Sequence, residues 1–293
     1  MKQILFVCSG NTCRSPMAAA ILNSLGDADF LASSAGLQAF SGDEMSRNAL
    51  EALLLCGTPE HPEMPYSRHR SRPIHPLHLQ EADLVVGMSA RHSEILQAAF
   101  PEFQEKITHF PFDVPDPYGG DRHAYLSCLA KLRQGVHMLY REWKEDKNGI
   151  FPMISADIPA VLDIENKSFT VPWSEKSFCV SLENPCTHLN VSLLDGKVVG
   201  YSVHMVLFED AELYNIATDN NHRRRGVGKK LLQNVIDNTQ KRGGEELHLE
   251  VRASNLSARA LYESHGFQIE GKRKNYYQKP IEDAILMGLS VKK

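Results

Sequence analysis

Between an apolar segment and a helix start, nine residues, Cys8-Ser-Gly-Asn-Thr-Cys-Arg14-Ser15-Pro16, supply a thiol, a run of backbone amides and an arginine. Ile4-Leu5-Phe6-Val7 reads as a short buried strand ending at Cys8. Ser15 is a good N-cap residue and Pro16 suits a first helical position, with Met17, Ala18, Ala20, Ile21, Leu22 and Leu25 continuing as a helix with an apolar face. Strand, loop and helix in that order can form a nest of N–H groups at a positive helix end, which favours an anion. Arg14 adds a planar fork for phosphate oxygens. A cysteine in such surroundings reacts as its thiolate, so Cys8 is the expected nucleophile. A buried structural cysteine in a glycine-containing turn could show the same Cys-to-Arg spacing, but it would not require a strand before and a Ser-Pro helix start after.

Cleaving a phosphate ester or amidate requires a proton for the leaving group, so an acid is expected near the thiol. Asp116-Pro117-Tyr118-Gly119-Gly120 offers one, although on composition alone it is a turn. Further along, Phe30 to Ala32, Ala82 to Met88 and Lys106 to Phe110 read as strands. Helices are expected over Asn48 to Leu55, from Ser89 through Ala99, and over Asp121 to Lys144. Strands alternating with helices imply a parallel sheet covered on two faces, with ligands at the strands' carboxyl ends.

Cys8-x-Gly10-Asn11-x-Cys13-Arg14-Ser15-Pro16 resembles the signature of low-molecular-weight protein tyrosine phosphatases, and the resemblance extends over about residues 1 to 147. Ser34-Ala35-Gly36, His69-x-Ser-Arg72-Pro73 and Asp116-Pro-Tyr-Gly-Gly resemble three further segments of that family. The resemblance implies Cys8 as nucleophile, Arg14 as phosphate ligand and Asp116 as general acid, with Asn11, Ser15, Ser34 and His69 bracing the loop. It leaves two roles open for Cys13, a disulfide with Cys8 or simple packing. Ala19 stands where the family usually has Glu, a position without a catalytic role. Thr12 resembles the threonine of bacterial protein arginine phosphatases, and both phosphoarginine and phosphotyrosine remain open as substrates. Tyr118 at the pocket rim suits either a ring or a guanidinium.

The chain has 293 residues, room for two domains of roughly 150 each. The charged run Lys144-Glu-Asp-Lys147 and then Asn148-Gly149 mark the expected boundary: a domain over 1–147, a short linker at 148–150, and a second domain over 151–293, with a strand near Phe151. A net charge of −4 argues against a generic nucleic-acid binder. The amino terminus lacks the apolar stretch of a signal peptide, and no run approaches the ~18 residues of a membrane span, so a cytoplasmic protein is expected, with no membrane partner. Six irregularly spaced cysteines fit a reducing compartment. No metal is implied, and His75-Pro-Leu-His78, the nearest thing to a ligand pair, reads as a loop.

In the second half Leu213 to Thr218 reads as a strand, and Arg223-Arg-Arg-Gly226-Val-Gly228-Lys229 opens a helix whose Val227, Leu231, Leu232, Val235 and Ile236 share a face. Gly226 and Gly228 let backbone approach a pyrophosphate at the positive helix end. Leu247 to Val251 alternates as a strand with Glu250 on the face opposite Leu249. Arg252 to Asn255 leads into a helix that carries Tyr262 and stops at Gly266.

This arrangement resembles the GNAT acetyltransferase superfamily. Glu250-Val-Arg-Ala-Ser-Asn255, Ala-Leu-Tyr262-Glu-Ser, Pro172-Trp173-Ser-Glu-Lys and Asn275-Tyr276-Tyr277 resemble bacterial ribosomal-protein-alanine N-acetyltransferases over about residues 151 to 291. The resemblance implies acetyl-CoA as cofactor. Ile216, Ala217 and Thr218 would meet its thioester and pantetheine arm, with Thr218 replacing the usual Val. Arg224, Arg225, Gly226, Val227, Gly228 and Lys229 would hold its pyrophosphate, and Asn255 would contact it too. Glu250 would act as base and Tyr262 as acid. An α-amino group titrates near about 7.7–8.0 and lysine near about 10.4, so neutralising lysine at pH 7 costs roughly 3 to 4 kcal/mol more. A single carboxylate base therefore favours a protein N-terminus as acceptor.

The expected fold class is α/β: an N-terminal four-stranded parallel sheet flanked by helices, then a C-terminal mixed-sheet GNAT fold. The expected partners are a phosphorylated protein and the N-terminus of a ribosomal protein, without direct nucleic-acid contact. Two rival readings make the first half a phosphoprotein-binding regulatory module or an arsenate reductase, with the second half acetylating another amine.

Overall fold

The computed structural model describes residues 1–292 and divides into two compact units, Met1–Trp143 and the chain from Lys144 onward. In the first, β1 (Lys2–Cys8), α1 (Arg14–Ser24), β2 (Phe30–Gly36), α2 (Arg47–Leu55), α3 (Pro76–Glu81), β3 (Leu84–Gly87), α4 (Ala90–Ala99), β4 (Ile107–His109) and α5 (Arg122–Trp143) follow in order. The four strands form one sheet in the order β2-β1-β3-β4, every pair parallel. Parallel pairing brings all the carboxyl ends to one edge, so Cys8, Gly36 and Gly87 stand side by side there.

β1 is buried on both faces, as its uninterrupted Ile-Leu-Phe-Val run requires of a central parallel strand. Leu5 and Val7 join Leu79, Val85, Leu96 and Ile107 in one core cluster. Helix α1 departs from the one-faced pattern: every residue from Arg14 to Asn23 is buried. Its Met-Ala-Ala-Ala-Ile-Leu sequence is apolar nearly all round, and such a helix finds partners on every side. Two further local readings are corrected. Cys13, not Ser15, precedes the first helical residue, which puts Pro16 third, and no side chain caps this helix. His75 to His78 is not a loop: His75 caps α3, accepting from the Leu77 amide, with Pro76 in the first turn.

The second unit contains β5 (Gly149–Pro152), α6 (Ile158–Ser168), α7 (Glu175–Glu183), β6 (Thr187–Leu194), β7 (Lys197–Leu207), β8 (Asp210–Thr218), α8 (Val227–Lys241), β9 (Glu246–Arg252), α9 (Leu256–Glu263), β10 (Gln268–Gln278) and β11 (Ile281–Ser290). Its first strand includes Gly149 and Ile150, two of the three residues read as linker. The seven strands run β10-β11-β9-β8-β7-β6-β5, and β8 with β9 is the parallel pair in an otherwise antiparallel sheet. The apolar stripe of α8, Leu231, Leu232, Val235 and Ile236, is buried against this sheet, with Leu232, Val235 and Ile236 joining Leu213, Leu249 and Val251 in its core. Gly200 allows the close approach: a Cβ there would stand 2.9 Å from Val227 and from the Ala217 carbonyl. No helix among the described residues is long and apolar enough to cross a membrane.

Candidate active sites

The first site is assembled at the carboxyl edge of the parallel sheet. Cys8 is buried at the end of β1, its Sγ 3.0 Å from Ser15 Oγ and 3.3 Å from the Asn11 amide, which donates to it. The absence of Ser15 from the capping position is thereby explained: its hydroxyl faces the thiol from inside α1. Asn11 holds the loop in place. Its backbone is left-handed, φ 55°, a conformation that persists in a non-glycine residue only when neighbours determine it. They do so here. Asn11 Nδ2 donates to Ser15 Oγ at 3.0 Å and Ser34 Oγ at 2.9 Å, its Oδ1 accepts from the Arg72 amide at 3.0 Å, and its carbonyl pairs with His69 Nε2 at 2.8 Å.

Arg14 and Asp116 meet although β4 and most of the chain between lie elsewhere: Arg14 Nη2 is 2.5 Å from Asp116 Oδ2. The arginine side chain is 10% exposed and the aspartate 48%, so the pair runs from the floor of the loop to its mouth. Asp116 Oδ1 also accepts from the Tyr118 amide at 3.2 Å, which closes the Asp-Pro-Tyr turn on its own carboxylate. Tyr118 is exposed at this rim. Both Cys8 and Cys13 are free thiols. Cys13 is packed 3.3 Å from Ser46 Oγ and 3.4 Å from the Tyr125 hydroxyl, whose pKa burial pushes up to about 12.

His92 was not among the expected residues. Its ring lies between Ser89 Oγ at 2.6 Å and Ser9 Oγ at 3.0 Å, tying the loop to the cap of α4. Burial and then the Arg14 charge lower its pKa, which keeps the ring neutral. Nothing in its local sequence distinguishes it from a surface histidine on a helix start.

The second site is a gap in the mixed sheet. β8 and β9 pair in parallel from Asp210–Glu246 as far as Leu213–Leu249, and no further. At the next residue, Tyr214, β8 carries a bulge against β7, a device that increases twist and turns a strand away from its neighbour. Beyond it Ile216, Ala217 and Thr218 stay paired with β7 on one side and present unpaired backbone on the other. Glu250 is the first β9 residue past the parting.

The end of α8 completes the gap. Gly226 caps it at φ 82° and Arg224 before it is also left-handed, at φ 61°. Lys230 is the first residue to bond back to Gly226, at 3.0 Å, which leaves the amides of Val227, Gly228 and Lys229 directed out of the helix. A Cβ at Gly226 would meet nothing within 4 Å, so its backbone conformation, not crowding, demands glycine. Arg224, Arg225 and Lys229 are exposed around these amides. The outward amides, cationic rim and unpaired strand edge suit a pyrophosphate with an extended amide-bearing arm, so the residues fit acetyl-CoA.

Tyr262 is 6% exposed, packed against Phe267 with tilted rings whose centroids lie 5.7 Å apart, and burial raises its pKa so that the phenol stays protonated. Asn255 caps α9, its Oδ1 accepting from the Ala258 amide at 3.2 Å and from Ser257 Oγ at 3.1 Å. Its amide nitrogen is the part left for a ligand. Glu250 is ion-paired with Arg273 on β10, and its proximity raises the pKa of Tyr276. Arg252 stacks 4.1 Å over Tyr277 and donates to Thr170 Oγ1 at 2.9 Å, joining the end of β9 to the β10–β11 hairpin. His222 and His248 are paired with Asp219 and Glu270.

Glu165 escaped the sequence reading. On α6, and 1% exposed, it accepts from the Trp173 amide at 2.7 Å, from Asn215 Nδ2 at 3.2 Å and from the Tyr201 hydroxyl. Burial pushes its pKa up to about 7 against the opposing pull of the hydrogen bonds. Among the described residues no group of three or more His, Cys, Asp or Glu is placed to hold a metal ion.

Residues 3–148 match the low-molecular-weight phosphotyrosine protein phosphatase family, and residues 158–267 match the acetyltransferase (GNAT) family. Over 147 residues the chain is 42% identical to the [ribosomal protein bS18]-alanine N-acetyltransferase of Escherichia coli (strain K12), spanning 49% of this chain and 98% of that protein. The chain belongs to both families.

The acetyltransferase domain is also 38% identical, over 136 residues, to a putative [ribosomal protein bS18]-alanine N-acetyltransferase of Bacillus subtilis (strain 168), covering 46% of this chain and 90% of that one. Among solved structures, the phosphatase domain is similar to the YwlE arginine phosphatase from Geobacillus stearothermophilus, at 31% identity, TM-score 0.44, and coverage of 48% of this chain and 92% of that one. The acetyltransferase domain is similar to the ribosomal-protein-S18-alanine N-acetyltransferase from Escherichia coli, at 39% identity, TM-score 0.47, and coverage of 50% and 95%.

Proposed function

We propose that the chain is a bifunctional cytoplasmic enzyme: residues 1–147 remove phosphate from phosphorylated proteins through a covalent cysteine intermediate, and residues 151–293 acetylate the N-terminal alanine of a ribosomal protein. The observation that carries the first activity is the convergence of Cys8, Arg14 and Asp116 on one loop mouth, with Arg14 2.5 Å from Asp116. Cys8 Sγ attacks phosphorus, the bond from phosphorus to the leaving oxygen or nitrogen breaks, and Asp116 gives that atom its proton. Water then attacks the phosphocysteine, Asp116 takes its proton, and inorganic phosphate leaves with Cys8 restored. Arg14 and the loop amides hold the phosphoryl oxygens throughout.

One residue supports phosphoarginine over phosphotyrosine, Thr12 in the loop. An assay of the purified chain on phosphoarginine and phosphotyrosine peptides decides between them. Phosphopeptide binding without phosphate release would instead indicate a regulatory module, and arsenate-dependent thiol consumption an arsenate reductase.

For the second activity the gap between β8 and β9, with Glu250 at its base, is the supporting feature. Acetyl-CoA supplies the activated acetyl group. Backbone of Ile216, Ala217 and Thr218 would hold the extended arm by strand-like hydrogen bonds, and the amides at the start of α8 with Arg224, Arg225 and Lys229 would hold the pyrophosphate. Glu250 receives the amine proton through water, and Tyr262 holds the proton that the departing sulfur needs. Arg273 fixes the Glu250 carboxylate in place. Transfer of acetyl to an Ala-initiated ribosomal-protein peptide, and not to its internal lysines, tests this reading.

A further inference from the structure

A cavity of about 420 Å³ opens between α1, the end of β2 and the segment from Pro62 to Arg72, and none of Cys8, Arg14 and Asp116 lines it. Its volume falls within the range of small-molecule sites. Ala19, Ala20 and Met64 give it an apolar wall. Its charged lining is mainly cationic: Arg68, Arg70 and Arg72 stand there with a single carboxylate, Glu63. Arg70 is engaged with Glu44 at 3.0 Å. Arg68 and Arg72 form no ion pair among the described residues. Arg72 is half-buried; its Nε donates to the Ser34 carbonyl at 2.9 Å, and its two terminal nitrogens make no hydrogen bond among the described residues. Burial lowers its pKa against the opposing pull of the Glu81 charge, which marks a guanidinium charge incompletely solvated. A planar fork with open donors beside an apolar wall matches an oxoanion carried on an apolar body.

We propose that this cavity binds a small organic anion, its oxoanion head on Arg72 and its apolar body over Ala19, Ala20 and Met64, and that occupancy acts on the phosphate loop through Asn11. The route is short. Arg72, His69 and Ser34 all line the cavity, and all three hold Asn11 in its left-handed conformation. A ligand that pulls on Arg72 biases Asn11, whose amide donates to Cys8 Sγ. The coupling rests on the phosphatase reading; the binding does not.

Benzoate is the probe, with benzamide as its uncharged counterpart, titrated calorimetrically into the full chain in saturating tungstate so that the Cys8 loop is filled. Benzoate binds saturably, benzamide about tenfold or more weaker. Ala19→Glu, which places a carboxylate on the cavity wall, abolishes benzoate binding, and Met64→Trp, which fills the cavity from its exposed rim, does the same should the first variant fail to fold. In turnover of p-nitrophenyl phosphate, benzoate changes kcat without competing. Binding that is absent, displaced by tungstate, equal for benzamide or intact in both variants overturns the site. Binding with unchanged turnover overturns the coupling, whereas a chain with no turnover at all refutes the phosphatase reading and leaves the calorimetry to decide the cavity.

Discussion

Arg14 Nη2 stands 2.5 Å from Asp116 Oδ2, joining the guanidinium at the start of α1 to a carboxylate in the loop before α5. If the loop seats a phosphoryl group as proposed, that group would compete for the same fork and release the Asp116 carboxyl toward the leaving atom. On the proposed phosphatase reading the pair would be a resting contact that substrate exchanges for its own, delivering the acid where the leaving group departs.

If Asp116 supplies that proton, Asp116→Asn lowers kcat roughly 10²- to 10⁴-fold for phosphoarginine or phosphotyrosine, the range typical of general acid catalysis. Activity on p-nitrophenyl phosphate, whose leaving group needs little protonation, falls far less. Steady-state kinetics with the two substrate classes measure the difference; equal losses would remove the acid role.

Asn11→Ala deletes side-chain hydrogen bonds to Ser15, Ser34 and the Arg72 amide while leaving a β-carbon in a left-handed conformation. At roughly 1 to 1.5 kcal/mol for each bond, the variant loses about 3 to 4.5 kcal/mol of stability in the first domain. Urea denaturation followed by phosphatase activity reads this loss, and kcat falls with it because the amide at position 11 no longer meets Cys8.

Glu165 gives the second domain a pH dependence of its own. Its pKa is raised from 4.5 to about 7, so between those values the unfolded chain has lost a proton that the folded chain retains. Stability therefore falls as pH rises from about 4.5 to about 7 and is flat above, the total being about 3 kcal/mol. Glu165→Gln flattens this slope. Exchange of the Trp173 amide, which donates to Glu165, followed from pH 5 to pH 8 in both proteins, checks it.

Gly226→Ala places a side chain at φ 82°, costing roughly 1 to 2 kcal/mol of backbone strain at the start of α8. The KM for acetyl-CoA rises about tenfold as the outward amides shift, while phosphatase kinetics stay unchanged. Parallel assays on one preparation separate the two effects.

The strand, loop and helix around Cys8 were legible because their determinants are contiguous: an apolar run, polar loop residues and a helix former succeed one another within the span of the motif. The same holds for Gly226 before α8 and Gly228 in its first turn. What escaped came from residues distant in the chain. Ser15 has the chemistry of a cap, but its contact with Cys8 prevails inside a helix buried on all sides. Glu165 is one acid on a helix, and only Tyr201, Asn215 and Trp173, on other segments, make it a buried one. The ion pair between Glu250 and Arg273 depends on β11 lying between their strands in the sheet order, which no local pattern encodes. His75 was misread because proline was weighed as a breaker where it opens a helix.

The most direct test of two independent chemistries in one chain is a crossed assay of Cys8→Ser and Glu250→Gln in the full-length protein. Cys8→Ser abolishes phosphate release and leaves acetylation of an Ala-initiated ribosomal-protein peptide at the parental rate, and Glu250→Gln does the reverse, lowering acetyl transfer roughly 10²-fold or more. Phosphate release that survives Cys8→Ser, or acetyl transfer that survives Glu250→Gln, would contradict the account.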